Sequence, residues 1–323
     1  MHAATGPQGD CGGFSIERLL RGHPGFETAV QLVLTGTSGS SPSGSQACRR
    51  VYELDGGPRH RVHVVAARDG QQVLTAALAV ESAGQAALVY LPPGHLDDTA
   101  RTALGAVLDC LIALARERQL ALLQALVSPA DHVRARILRR AGFRHLAELI
   151  YLQRDVAAPP PESNTPAVLE WRTYQPRDRA RFVEALSESY RDSLDCPGLS
   201  GLRAPGEALE GHRATGSYDP AGWFLATCEN RIAGVILTSS VPERSAIEIV
   251  YMGVSPTFRG QGVGSALLDR AVARACTLQV DHVTCAVDAI NEPARRLYAR
   301  WGFQEMDRRR AWITALTAAD GIA

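Results

Sequence analysis

Apolar residues in the second half of the chain recur at two spacings, which predict short strands alternating with helices. The stretch Ile247–Val254 is rich in β-branched residues and typical of a strand. Ser265–Cys276 carries its apolar residues at the period of one helix face. A strand is predicted at His282–Val287 and a helix at Pro293–Arg300, closed by Gly302. Earlier elements are predicted at Leu169–Tyr174, Arg177–Arg191, Trp223–Cys228 and Ile232–Ser239. The order predicts an α/β fold, a mixed sheet with helices packed on it.

The first half shows a similar order of elements and ends as the second half does. Its predicted elements are strands at Val62–Ala67, Val73–Val80, Ala87–Leu91 and Leu120–Val127, and helices at Thr99–Glu117 and Asp131–Ala141. Gly142-Phe143 recurs as Gly302-Phe303, 160 positions later. Between the halves lies Ala157–Pro166, in which three consecutive prolines favour an extended linker. We therefore predict two tandem domains, each a central twisted mixed sheet flanked by helices, over residues 13–156 and 167–317, joined by the linker 157–166.

The charge balance and the cysteine pattern narrow the classes of function. The 323 residues include 34 Lys and Arg against 34 Asp and Glu, whereas a nucleic-acid surface usually shows as a basic excess. Seven scattered cysteines form no C-x-x-C pair, so no metal site is expected. The most apolar stretch, Ala103–Ala115, is too short to span a bilayer, and the polar N-terminus lacks the features of a signal peptide. We expect a cytoplasmic protein without nucleic-acid or membrane partners; its oligomeric state stays open.

A glycine-rich turn joins the strand ending at Val254 to the helix beginning near Ser265. The segment Arg259–Gly264 holds three glycines in five residues, which permit a tight backbone with no Cβ to keep a ligand away. The free N–H groups and positive dipole end of the following helix suit an anion such as a pyrophosphate, and Arg259 adds positive charge. An ordinary turn is the alternative. The spacing is not that of a dinucleotide-binding fingerprint, and the lysine of a P-loop is absent.

Two motifs in this half resemble those of the GCN5-related N-acetyltransferase (GNAT) superfamily. Arg259-Gly-Gln-Gly-Val-Gly264 matches (Q/R)-x-x-G-x-(G/A), and the segment from Asn291 to Phe303 matches N-x-x-A-x-x-L-Y-x-x-x-G-F. Both occur in the family's order, and the resemblance covers about Leu169 to Ile313. It implies an enzyme that uses acetyl-CoA as co-substrate and requires no metal.

The resemblance also implies positions for the cofactor. The pantetheine arm would lie between two splayed parallel strands, Ile247–Val254 and His282–Val287. The implied cofactor-binding residues are Met252 and Val254 through their backbone, Arg259, Gly260, Gln261, Gly262, Val263 and Gly264 at the pyrophosphate, and Asn291 at the pantetheine arm.

Two residues are implied as catalytic. Tyr298 would act as general acid to the departing thiolate, although a helical tyrosine is otherwise usually a packing residue. Glu248 is the candidate base for the acceptor ammonium, and its alternative role is a solvated glutamate on an edge or surface strand. On the acceptor side, Asp192 and Asp195 either attract a cationic amine or shape a turn. Cys196 has no adjacent base and is expected to be a plain thiol.

The first half has a similar predicted order of strands and helices but lacks the two motifs of the second half. A shift of 160 positions puts Thr99, Thr102 and Leu104 in the places of Arg259, Gly262 and Gly264, and Leu138 in the place of Tyr298. We interpret it as a degenerate domain, in a tandem arrangement similar to mycothiol synthase-like members of the family. The predicted function is acetyl-CoA-dependent transfer to the primary amine of a small molecule or protein. A non-catalytic acyl-CoA-binding module, or an acyltransferase using another acyl-CoA, is the alternative.

Overall fold

The computed structural model describes residues 10–11, 13–37, 42–55, 60–161 and 168–316. Contacts between residues divide the chain into two compact units. One takes in the described residues of Met1–Leu146 and Ala311–Ala323, and the other takes in those of Ala147–Arg310. The last strand of the chain therefore contributes residues to both units.

The first unit is a mixed sheet with helices packed on it. Its strands are β1 (Asp10–Cys11), β2 (Phe14–Leu19), β3 (His60–Asp69), β4 (Gln72–Ser82), β5 (Ala86–Tyr90) and β6 (Leu122–Val127), and its helices are α1 (Phe26–Thr35), α2 (Pro42–Asp55), α3 (Asp98–Glu117) and α4 (His132–Arg140). The strands follow one another in numerical order, antiparallel except for the parallel pair β5–β6. Helix α3 buries an apolar stripe in one core, and α1 and α2 share another with the sheet.

The second unit has the same kind of architecture. Its strands are β7 (Arg144–Asp155, from Ala147 onward), β8 (Glu170–Thr173), β9 (Ser217–Tyr218), β10 (Phe224–Cys228), β11 (Arg231–Val241), β12 (Ala246–Val254), β13 (His282–Asp288) and β14 (Gln304–Ala315, up to Arg310), and its helices are α5 (Arg179–Tyr190), α6 (Pro205–Ala214), α7 (Val263–Leu278) and α8 (Glu292–Arg300). The strand order is β7-β13-β12-β11-β10-β8, with β9 paired to β11. Only β12 and β13 form a parallel pair within this order.

Two apolar cores cover the second sheet. Ile247 and Ile249 of β12 pack with α7 and α8, whose largest buried side chains there include Trp301. Phe182 of α5 and Leu209 of α6 belong to the other core, which also includes Trp223. Because successive strand residues point to opposite faces, the residue between Ile247 and Ile249 faces the α5–α6 side.

Corresponding elements of the two halves keep one spacing. The bounds of α4 and α8 differ by 160 positions at both ends, and so do those of β7 and β14. The predicted mixed α/β architecture in tandem is confirmed. Helices α1, α2 and α6 were not predicted. Proline and glycine interrupt the apolar period of α2 and α6.

Candidate active site

Strands β12 and β13 pair at their beginning and separate towards their ends. Their parallel register runs from Ala246 opposite His282 to Ile249 opposite Cys285. Both strands continue beyond this point, β12 to Val254 and β13 to Asp288, but they no longer pair with each other. Backbone groups on the facing edges are therefore available to a ligand that enters between the strands.

An irregularity in the ladder between β11 and β12 lies at the point where the strands separate. Leu237 is opposite Tyr251, while the next residue, Thr238, is opposite Ile249. Val250 is thus the extra residue of a β-bulge, which bends a strand and redirects its side chains. Beyond it, Met252 and Val254 pair on one edge with β11, and their other edge faces the gap.

The glycine-rich turn adopts a backbone that favours glycine. Gly260 has φ +75° and Gly262 has φ +81°, in the left-handed region. Gly262 immediately precedes α7, which begins at the buried Val263. At Gly264 an added Cβ would lie 2.9 Å from Leu297 Cδ2. The turn therefore presents the free N–H groups of the first turn of α7 beside the gap between β12 and β13.

Arg259 bonds to the carbonyl groups at the end of α5. Its guanidinium donates to the carbonyl oxygens of Ser189 (3.2 Å), Arg191 (2.6 Å) and Asp192 (2.9 Å), and Nε donates to that of Val254 (3.1 Å). The side chain thus fastens the loop after α5 to the end of β12. The sequence motif predicted Arg259 as a cofactor-binding residue and did not predict its bonds to the loop after α5.

Gln261 and Asn291 make local contacts. Gln261 Nε2 donates to the carbonyl of Thr257 (2.8 Å). Asn291 is the N-cap of α8, and its Oδ1 accepts from the N–H of Ala294 (3.3 Å). The cap fixes the start of the helix that carries Tyr298.

Tyr298 is buried, with 5% of its surface exposed. Its side chain interacts with the thiol of Cys285, the last residue of β13 that pairs with β12. Burial, and next the neighbouring Cys285 and Asp195, raise the pKa of Tyr298 well above its ordinary value, so the phenol keeps its proton. The hydroxyl therefore lies where the two strands begin to separate.

Glu248 lies on a central strand, not an edge strand. Its neighbours are Ser239 on β11 and Thr284 on β13. Burial raises the pKa of Glu248, and the charge of Arg244 only partly opposes this shift. A half-buried carboxylate with a raised pKa is suited to accept a proton near neutral pH.

Aromatic and hydroxyl groups meet on the α5–α6 side. Tyr251 hydrogen-bonds through its hydroxyl to Ser189 Oγ (2.8 Å). Its ring lies 5.3 Å from that of Tyr190 and 5.3 Å from the imidazole of His212. An added Cβ at Gly253 would lie 2.5 Å from Ser189 Cβ, so only glycine allows α5 to approach the strand this closely.

The loop after α5 is also held to the end of β13. Asp195 Oδ1 accepts from the N–H of Asp288 (3.2 Å), and Asp288 Oδ2 accepts from the N–H of Cys196 (3.2 Å). Burial raises the pKa of both Asp195 and the Cys196 thiol. Asp288 and Tyr251 were not singled out from the sequence, because only the fold brings them to the loop. The one sequence signal for Asp288 was its position as a polar residue at the end of an apolar strand.

At the corresponding place in the first unit an arginine bonds to the turn before α3, and it lines a cavity together with Gly94 and Asp131. Arg134 of α4 is buried, and its guanidinium donates to the carbonyls of Pro92 and Gly94 in the turn before α3. It also pairs with Asp131, the N-cap of its own helix (2.7 Å). No R-x-x-G-x-G sequence occurs in this turn.

The described residues hold neither a metal-binding cluster nor a membrane-spanning helix. No group of three or more His, Cys, Asp or Glu side chains that could hold a metal ion occurs among them. Within the same residues, none of the helices combines the length and the apolar character needed to cross a membrane.

Comparison with known proteins identifies the second half. Residues 183–303 match the model of the Acetyltransferase (GNAT) family. Mycothiol acetyltransferase of Acidothermus cellulolyticus is 29% identical over 181 residues, which is 51% of this chain and 54% of that protein. Mycothiol acetyltransferase of Streptomyces coelicolor is 26% identical over 296 residues, 90% of this chain and 92% of that protein. The chain spans about half the length of several curated relatives it matches.

Solved structures share the fold over nearly the whole chain. A GCN5-related N-acetyltransferase from Sphaerobacter thermophilus superposes with a TM-score of 0.60 at 21% identity, covering 96% of this chain and 98% of the other. A tandem GNAT protein from the clavulanic acid biosynthesis pathway gives 0.54 at 18% identity, covering 95% and 100%. The fold is therefore that of tandem GNAT proteins, and residues 183–303 match the model of the GNAT acetyltransferase family.

Proposed function

We propose that this protein transfers the acetyl group of acetyl-CoA directly to a primary amine, with the chemistry confined to the second unit. The observation that carries the proposal is the separation of β12 and β13 beyond Ile249 and Cys285, with the Tyr298 hydroxyl at the point of separation. The family match of residues 183–303 supports the same activity.

The residues present fit acetyl-CoA. The gap between the strands offers backbone groups of Met252 and Val254 to an extended amide-bearing arm. The turn Arg259–Gly264 and the N-terminus of α7 offer free N–H groups to a pyrophosphate. Acetyl-CoA, when bound, supplies the acetyl thioester.

Two side chains would handle the protons. Tyr298, protonated because burial raises its pKa, would donate its proton to the departing sulfur. Glu248 would accept the proton that the acceptor ammonium must lose before it can act as a nucleophile, directly or through a water molecule. Both roles need no metal ion.

The first unit would support the second without chemistry of its own. Arg134 bonds to the carbonyls of the turn before α3, which takes the place of the glycine turn of the other unit. This supports the interpretation of residues 13–156 as a degenerate domain and 167–317 as the catalytic one.

A small-molecule amine is the favoured acceptor. The curated relatives are named mycothiol acetyltransferases, and the name describes a reaction on a small molecule. The half-buried groups on the α5–α6 side also favour a compact acceptor over a protein chain.

The test is an amine panel with acetyl-CoA, in which release of the free thiol is followed spectroscopically. We expect thiol release that depends on the amine, with the acetylated amine identified by mass spectrometry. Tight coenzyme A binding with no transfer to any amine would instead indicate a binding module. A higher rate with a longer acyl-CoA would indicate a different donor.

A further inference from the structure

A cation lies unpaired on the acceptor side of the second unit. Arg203 precedes α6 and is half-buried. Among the described residues its guanidinium has no hydrogen bond and no ion pair. Most other arginines around it are matched: Arg179 pairs with Glu210 (3.2 Å), and Arg191 pairs with Glu188 (2.9 Å).

The acid nearest to Arg203 in sequence is already engaged. Glu207 Oε2 accepts from the backbone N–H of Ala204 (3.0 Å), which caps α6. Glu207 interacts with Arg203 only at longer electrostatic range, as does the Tyr190 hydroxyl. The desolvation of this half-buried guanidinium is therefore offset only in part, since neither group forms an ion pair with it.

The surroundings of Arg203 connect it to the candidate active site. Arg203 lies within electrostatic range of Tyr190 and of His212, and the rings of both lie 5.3 Å from that of Tyr251. Tyr251 belongs to β12, three positions after Glu248. Tyr190 and Tyr251 pack in the core of the α5–α6 side, the side that Glu248 also faces, so Arg203 lies on the same side of the sheet as Glu248.

His212 adds no second positive charge to this region. Burial, and next the charge of Arg203, lower the pKa of His212 to about 4, so its imidazole is neutral at physiological pH. Arg203 is thus the fixed cation of this region, whereas Glu248 and Asp195 are acidic groups that suit an ammonium.

We propose that Arg203 binds a carboxylate of the acceptor, so that the acceptor is an amino acid or a similar small amine that also carries a carboxylate. This inference rests on the proposed function. The planar fork of a guanidinium matches a carboxylate with two parallel hydrogen bonds. A monoanion is favoured over a dianionic phosphate, because one arginine must balance it in a region that also holds Asp195 and Asp288.

The experiment compares amino acids with their carboxamides as acceptors, a pair of similar size that differs in the charge to be recognised, with each rate expressed per neutral amine because the two amines differ in pKa. Wild-type enzyme should show kcat/KM about 10-fold or more higher for the carboxylate member of the best pair, as expected from one charge-assisted contact. Arg203→Gln should raise KM for that amino acid by about 10-fold to 100-fold and leave the carboxamide unchanged. Arg203→Lys should retain part of the preference, since it keeps the charge and loses the fork.

Matched controls separate this role from a structural one. Arg177→Gln removes an exposed arginine without an ion pair elsewhere in the same unit, and should leave both acceptors unchanged. Acetyl-CoA affinity and thermal unfolding of Arg203→Gln should equal those of the wild type. An equal loss of kcat/KM for the amino acid and for its carboxamide would overturn the inference. A loss of acetyl-CoA affinity alone would also overturn it.

An error in the role of Arg203 can be distinguished from an error in the proposed transfer of acetyl groups to amines. Wild-type enzyme that acetylates amines without regard to a carboxylate would refute the role of Arg203 and leave the transferase activity intact. Calorimetric titration of the best amino acid into the protein with coenzyme A gives a second readout that requires no turnover. An absence of binding there, with or without thiol release, would also overturn it.

Discussion

Tyr298 is the residue on which the proposed chemistry depends most directly. Tyr298→Phe removes the hydroxyl at the strand separation and keeps the ring that packs on Phe303 at 5.2 Å. We expect turnover to fall by ~10²-fold, the usual contribution of one general acid, with acetyl-CoA affinity little changed. Thiol-release kinetics and calorimetry measure the two quantities. Tyr218→Phe, on the apolar core away from Cys285, serves as the matched control; full activity of Tyr298→Phe would refute the acid role.

Glu248 should set the acid limb of the pH–rate profile. Because burial disfavours the charged form, the pKa of Glu248 is raised, and the basic form is lost as the pH falls through that raised value. Turnover of the wild type should therefore decline at a pH above the ordinary carboxyl range. Glu248→Gln should lower turnover by ~10²-fold and remove this limb.

The control for this measurement is Glu243→Gln. Glu243 is an exposed glutamate in the turn just before β12. Its replacement should leave both rate and profile unchanged. An acid limb that persists in Glu248→Gln would assign the base to another group.

The element that decides cofactor binding is the turn into α7. Gly262→Ala forces a side chain into the left-handed region at the helix N-cap, at a stability cost of about 1–2 kcal/mol. We expect acetyl-CoA affinity to fall as well, since the N–H groups of the turn would shift. Gly142→Ala imposes the same kind of strain at φ +86° in the first unit, where nothing lies within 4 Å of an added Cβ.

Gly262→Ala and Gly142→Ala should both lower stability but should differ in their effect on acetyl-CoA affinity. Both should lower the midpoint of thermal unfolding, and only Gly262→Ala should weaken acetyl-CoA binding in calorimetry. Equal affinity in the two variants would mean that the turn does not hold the pyrophosphate.

At the scale of the whole molecule, the two units should differ in cofactor binding. Arg134 bonds to the turn carbonyls of the first unit, where the second unit has free N–H groups. We expect a stoichiometry of one acetyl-CoA per chain in calorimetric titration. Two equivalent sites per chain would contradict the interpretation of the first unit as degenerate.

The sequence predicted much of the fold and less of the site. The strands around the motif and helices α7 and α8 agree with their predicted positions within a few residues. The apolar period of α7 is long and regular, and Gly302 marks the end of α8. Helix α6 was missed, since its glycines and charged residues obscure that period. The acceptor side depends on this helix and on the loop before it, so its chemistry was left open.

The sequence by itself determined the repeat, the order of elements and the turn Arg259–Gly264, because local spacing and backbone preference encode them. Only the tertiary structure decided where β12 and β13 separate, since that depends on pairing between distant segments. It also decided that Arg259 bonds to the loop after α5 and that Arg203 stays unpaired within electrostatic range of Tyr190 and His212. Burial and distance between side chains set these properties, and neither is a property of local sequence.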